Sequence, residues 1–163
     1  MTQEEFKELF DAHFDAIRNY VYYRSGDPEL ATDIAQDTFM RLWEKKSLVK
    51  SDNLKGLLYK MASDLFVSSY RRQKLAMDFS VKQNQHPHNH EDSPEDHLQY
   101  KELEKRYETA LRQMPEKQRT VFLMSRMDEF KYHEIAANLG LSVKAVEKRM
   151  KNALAFLKKA MEN

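Results

Sequence analysis

The residues best placed to do chemistry lie near the end of the chain. Ser142, Lys144, Ala145, Lys148, Arg149, Lys151 and Asn152 fall in one short stretch. On a helix, Lys144, Lys148, Lys151 and Asn152 recur at three- and four-residue steps and share a face. Such a face suits a polyanion: Arg and Lys address guanine or phosphate, and Asn an adenine edge or a phosphate. No other chemistry competes with it. There is no glycine-rich phosphate loop, no nucleophile–base pattern and no cysteine. His86, His88 and His90 could reach a metal, but in so polar a stretch they read as solvated side chains. Neither an enzyme nor a cofactor, metal or small-molecule substrate is expected.

The elements that must position this face are legible around Leu139-Gly140-Leu141-Ser142. Gly140 stands where a helix has to end in a left-handed conformation, and Ser142 can cap the next helix. Ala136, four residues before the glycine, is small enough for two helices to approach closely. Val146, six residues after it, fills the space between them. Ile135, Leu139 and Leu141 complete the contact. That spacing is what a helix-turn-helix needs, because two steeply crossing helices share one small core. A plain helical hairpin with a solvated basic face is the bland alternative. Residues 132–159 hold six Lys/Arg and two acids, which favours the DNA-binding reading.

Upstream, the pattern is helical throughout. Thr2 and Glu5 have capping-box spacing, and Phe6, Leu9, Phe10, Phe14, Ile17 and Val21 recur at helical intervals up to Gly26. Asp27-Pro28 starts a second helix over about 28–46, with Leu30, Ile34 and Leu42 towards a core and Asp33, Gln36, Asp37, Met40 and Glu44 on another face. A third helix over about 54–75 puts Leu54, Leu57, Leu58, Met61 and Leu65 on its core side. Its second stripe, Lys55, Tyr59, Phe66 and Tyr70, could stack on unpaired bases beside a cation; ordinary core packing is the alternative, favoured for Phe66. Residues 76–97 are polar and acidic and read as a flexible linker. Ser93-Pro94-Glu95-Asp96 then looks like a helix start, Pro115 ends that helix, and three shorter helical segments follow over about 116–126, 131–139 and 143–161. The fold class is therefore all-α: a three-helix domain over 1–75, a linker over 76–97 and a helix-turn-helix domain over 98–163.

Charge follows the same division. Of 163 residues with a net charge of +1, residues 1–75 carry equal numbers of acids and bases, the linker has four more acids than bases, and residues 98–163 have five more bases than acids. No run approaches the roughly 18 apolar residues of a membrane span, and the acidic N-terminus lacks a signal-peptide pattern. A cytoplasmic protein is expected.

The stretch from Asp27 through Trp43 resembles region 2 of the extracytoplasmic-function sigma factors, the smallest members of the sigma-70 family. Met114 through Leu123 and the helix-turn-helix after it resemble that family's region 4. The resemblance implies that the second helix docks on core RNA polymerase through Asp33, Gln36, Asp37, Arg41 and Trp43. It implies that the third helix and the loop before it open the promoter −10 element, with Lys46, Lys50, Asn53, Lys55, Tyr59, Tyr70, Arg71 and Arg72 at the DNA. The helix-turn-helix, through Ser142 to Asn152, would then contact the −35 element. It further implies sequestration by an anti-sigma factor, often membrane-anchored. Asp64 and Ser68 depart from the Asn and Asp common in the family. A conventional helix-turn-helix regulator and a protein-binding helical adaptor remain the alternatives.

Reading two promoter elements more than a helical turn apart needs heads over ~34 Å apart. A 22-residue linker spans about 25 Å on average and about 70–80 Å at full extension. It permits the separation without enforcing it.

Overall fold

The computed structural model describes residues 1–47, 52–70, 79 and 94–162. Seven helices and no strand occur among them. Helix α1, Gln3–Ser25, starts on the capping box: the Glu5 amide donates to Thr2 Oγ1 at 3.2 Å and the Thr2 amide to Glu5 Oε2 at 2.8 Å. It ends at Gly26, where φ is 69°. Asp27 then accepts from the amides of Glu29 and Leu30, and with Pro28 at the first position opens α2, Pro28–Glu44. Helix α3, Leu54–Tyr70, begins where Asn53 Oδ1 accepts from the Gly56 amide at 2.9 Å. These three helices close over Ile17, Val21, Ile34, Phe39, Leu42 and Leu58. The Phe6, Phe10 and Phe14 stripe of α1 packs on Phe39 of α2, edge-on for Phe6 and Phe10.

The second unit comprises α4, Pro94–Gln113; α5, Glu116–Arg126; α6, Tyr132–Leu139; and α7, Val143–Met161. Its core gathers Leu111, Met114, Val121, Met124, Ile135 and Val146. Between α5 and α6, Glu129 takes a left-handed φ of 58° so that the chain can fold back and the Phe130 amide can donate to the Met124 carbonyl.

Two expectations change. The acidic stretch over 76–97 falls mostly outside the described residues, but Phe79 within it is buried, its ring beside Tyr22 and under the Arg119 guanidinium. Phe79, which stands in the sequence Ala76-Met77-Asp78-Phe79-Ser80-Val81 ahead of the polar run, is thus an anchor. Residues 94–97 belong to α4, as the Pro94-Glu95-Asp96 start requires. On α3 burial draws on both stripes: Leu58 of the first and Tyr59 and Phe66 of the second are covered, while Leu54, Leu57, Met61 and Leu65 and, on the second stripe, Lys55 are half-buried. The reason is tertiary, because α3 has neighbours on two sides: α1 and α2 on one, and α6 of the second unit on the other.

The two units touch directly, α1 on α5 and α3 on α6. Arg119 sits at this seam, 1% exposed. It donates to the carbonyls of Tyr23 at 2.8 Å, Arg24 at 2.8 Å, Met114 at 3.0 Å and Leu111 at 3.2 Å. Two of these acceptors are left open by proline. The Arg24 and Leu111 carbonyls would pair four residues on, at Pro28 and Pro115, which carry no N–H. One guanidinium fork thus caps the C-terminal ends of α1 and α4, where the helix dipoles are negative.

Candidate nucleic-acid interface

The turn between α6 and α7 has the predicted construction. Gly140 adopts φ 66°, its amide and that of Leu141 both donate to the Ala136 carbonyl, and Ser142 Oγ accepts from the Ala145 amide at 3.1 Å. Ala136 and Val146 are buried against each other's helices. With α6 seated there, α7 presents Lys144, Lys148, Lys151 and Asn152 to solvent. At 1.5 Å per residue this row runs about 12 Å, which matches the major-groove width. Ser142 is exposed as a cap, and Ala145 is half-buried. Arg149, also half-buried, lies on the flank of α7 and lines a cavity of about 540 Å³ shared with Gly56, Tyr59 and Lys60 of α3.

The −10 candidates divide. Lys50, Arg71 and Arg72 lie outside the described residues, as does the side chain of Tyr70. Asn53 commits its side-chain oxygen to capping α3. A Cβ on Gly56 would come within 2.4 Å of Asn53 Nδ2, so the glycine makes room for that cap. Lys55 is half-buried, its Nζ 5.1 Å from the Phe130 ring centroid. Tyr59 is 2% exposed, edge-on to Tyr20, with its hydroxyl buried and without a hydrogen-bond partner. Burial, with the Asp128 carboxylate nearby, pushes its ionisation well above the ordinary tyrosine range.

On α2, Asp33, Gln36, Asp37 and Arg41 are all exposed. Trp43 is half-buried between Phe6, 5.0 Å away by centroids, and Lys46, whose Nζ lies 3.3 Å from the ring centroid. Met40 joins this face 59% exposed, an apolar centre ringed by acids and amides. The sequence placed Met40 on this face, but its value as an anchor needed the exposure. Arg119 and Asp128 were missed because their partners lie about a hundred residues away in the chain. Asp128 Oδ1 accepts from Tyr23 Oη at 2.8 Å and Asn19 Nδ2 at 3.1 Å. Burial raises the Asp128 pKa, partly offset by these two donors, and pushes the Tyr23 hydroxyl far upward.

Two family models match the chain: "Sigma-70 region 2" over residues 9–76 and "Sigma-70, region 4" over residues 104–157. The chain belongs to the sigma-70 family, in its extracytoplasmic-function group. As a sigma factor it is 26% identical over 161 residues to the RNA polymerase sigma factor YlaC of Bacillus subtilis, covering 98% of this chain and 93% of that one. It is 28% identical to the ferric citrate uptake sigma factor FecI of Escherichia coli, covering 91% and 86%. Among solved structures, the fold matches the sigma factor RpoE of Bartonella quintana, solved with the anti-sigma factor NepR. The TM-score is 0.65 at 20% identity, covering 98% of both chains. It also matches CnrH, solved with the cytosolic domain of CnrY, with a TM-score of 0.66 at 22% identity, covering 99% and 90%. Among the described residues no helix of this sigma factor is long and apolar enough to cross a membrane, and no acid or histidine cluster could hold a metal.

Proposed function

We propose that this sigma factor binds core RNA polymerase through the exposed face of α2, reads the −35 element with α7, and opens the −10 element with α3 and the loop before it. It acts by binding alone, in the cytoplasm. The α2 face around Met40, with Asp33, Gln36 and Asp37, suits a basic partner surface with an apolar pocket. Lys144, Lys148, Lys151 and Asn152 suit a groove edge and its phosphates, Arg149 joining them once the flank of α7 is uncovered. Lys50, Arg71 and Arg72 supply phosphate contacts on the −10 side. An anti-sigma factor holds the chain in reserve, as the anti-sigma factor NepR is found with the sigma factor RpoE.

The observation that carries this reading is the pairing, in order, of region 2 with region 4 on one chain, each with its polar working row facing solvent on α2 and α7. A regulator that binds DNA alone has no use for the α2 face. Run-off transcription with sigma-free core polymerase over a genomic promoter library tests it. Promoter-dependent transcripts are expected only with the chain present, and their absence at low salt would refute the reading.

A further inference from the structure

The cavity beside α3 has the size and the furnishing of a small-molecule site. Its volume is about 540 Å³, within the roughly 300–1,000 Å³ that ligand pockets occupy. Its lining includes no residue of the α2 face and none of the solvent row of α7. Buried Tyr20, Tyr59, Thr120 and Asn138 form the floor, and exposed Lys60 and Lys117 stand at the rim.

The polar groups of the floor are donors. Tyr59 is 2% exposed and Asn138 6%, and Tyr59 Oη and Asn138 Nδ2 are both buried without a hydrogen-bond partner. Burial holds the Tyr59 hydroxyl protonated far above neutral pH, so its proton is there to give. Ser63 Oγ, also in the lining, accepts from Arg24 Nη1 at 2.7 Å and keeps its own proton to donate. An unpaired buried donor is costly, and two of them at one cavity suit a ligand that brings acceptors.

The charges around this floor have the matching sign. Of the lining groups, Arg24 and Glu116 pair with each other. Lys60 of α3, Lys117 of α5 and Arg149 of α7 make no ion pair among the described residues, and Asp64 is the single acid left to oppose them. Three cations from three helices thus converge on one space. Two ammonium groups and a planar guanidinium suit a compact anion of more than one charge, which the guanidinium grips by two parallel hydrogen bonds. A phosphate monoester carries close to two negative charges and three acceptor oxygens, whereas a carboxylate carries one charge. Leu139, Leu141 and the Tyr20 ring add apolar wall for an organic body.

We propose that this cavity binds a small phosphate ester. Lys60, Lys117 and Arg149 hold the phosphate, and Tyr59 Oη and Asn138 Nδ2 donate to the acceptors of the ligand. The site stands whether or not α7 reads DNA.

Isothermal titration calorimetry of the full-length chain, at neutral pH in a phosphate-free buffer of low ionic strength, tests it. The probes are adenosine monophosphate, glycerol phosphate and inorganic phosphate. At least one ester should bind saturably, one per chain and tighter than inorganic phosphate. Lys117→Ala and Tyr59→Phe should each weaken that binding about five- to tenfold. Their ligand-free thermal melts should match the parent, because Lys117 is exposed and Tyr59 Oη has no partner to lose. Lys105→Ala, exposed on α4 and outside the cavity, should bind as the parent does. Binding of both esters supports recognition through the phosphate, and binding of the nucleotide alone supports a nucleotide site. The proposal is overturned if neither ester binds saturably or if inorganic phosphate binds as tightly as the esters. Equal weakening by Lys105→Ala and Lys117→Ala overturns it too, since that is general attraction to a basic surface.

Discussion

Replacing Arg119 separates what holds region 4 together from what holds it shut. Arg119→Met keeps most of the buried volume and removes a cation that addresses four carbonyls. Two of those, at Leu111 and Met114, lie inside region 4, and the Leu111 carbonyl has no alternative amide because Pro115 stands four residues on. Leaving two buried acceptors unpaired at about 1–3 kcal/mol each, less some recovered desolvation of the guanidinium, gives a loss of about 2–4 kcal/mol in region 4 stability. The other two, at Tyr23 and Arg24, lie across the seam and regain water when it opens. A similar loss there, at about 1.4 kcal/mol per factor of ten, shifts the closed-to-open ratio by roughly 30-fold or more. Urea unfolding followed by circular dichroism reads the first quantity, and small-angle scattering of the native protein reads the second as a larger radius of gyration. Arg119→Lys should behave like the methionine variant, because a point charge cannot span four acceptors as a planar fork does. The reasoning is refuted if Arg119→Met stays within about 1 kcal/mol of the parent and scatters identically.

Three further outcomes follow from the geometry. Gly140→Ala meets no neighbouring atom but forces a left-handed φ on a side chain, so thermal or urea melts should show a loss of about 1 kcal/mol; Glu129→Gly, relieving the same strain at φ 58°, should gain a few tenths to about 1 kcal/mol. Tyr23 and Tyr59 ionise in the folded chain only well above the ordinary tyrosine value near 10. Above that pH the unfolded chain releases protons the folded chain retains, so stability falls with rising pH by about 1.4 kcal/mol per pH unit for each; Tyr23→Phe should flatten the slope of alkaline urea titrations by one such share. Alanine at Lys144, Lys148 and Arg149 together should weaken promoter binding by polymerase holoenzyme and lower the log–log salt slope by about 2–3. An unchanged slope would remove α7 from the DNA.

Local rules made most of the fold legible. The starts at Thr2, Asp27 and Ser142, the stops at Gly26 and Gly140 and the Ala136–Val146 contact all depend on neighbours within a turn or two of helix, and each occurs as the residue types require. The exposure of Asp33, Gln36, Asp37 and Met40 followed from period alone. The α3 stripes were harder to assign, because a helix with apolar residues on two sides does not declare which side meets its own domain and which meets another. Tyr59 looked available for stacking, whereas Tyr20 of α1 meets its ring edge-on and Arg24 lies over Phe66, which had read as core.

Seven helices, their order and the chemistry of the rows on α2 and α7 were readable from residue types and spacing, since propensity, capping and periodicity are short-range. It took the assembled fold to reveal that Phe79 is an anchor, that Arg119 serves carbonyls orphaned by two distant prolines, and that Asp128 meets Tyr23 across about a hundred residues of chain. Those contacts depend on how two helical units meet in one continuous apolar cluster, and no local pattern encodes the angle at which they do.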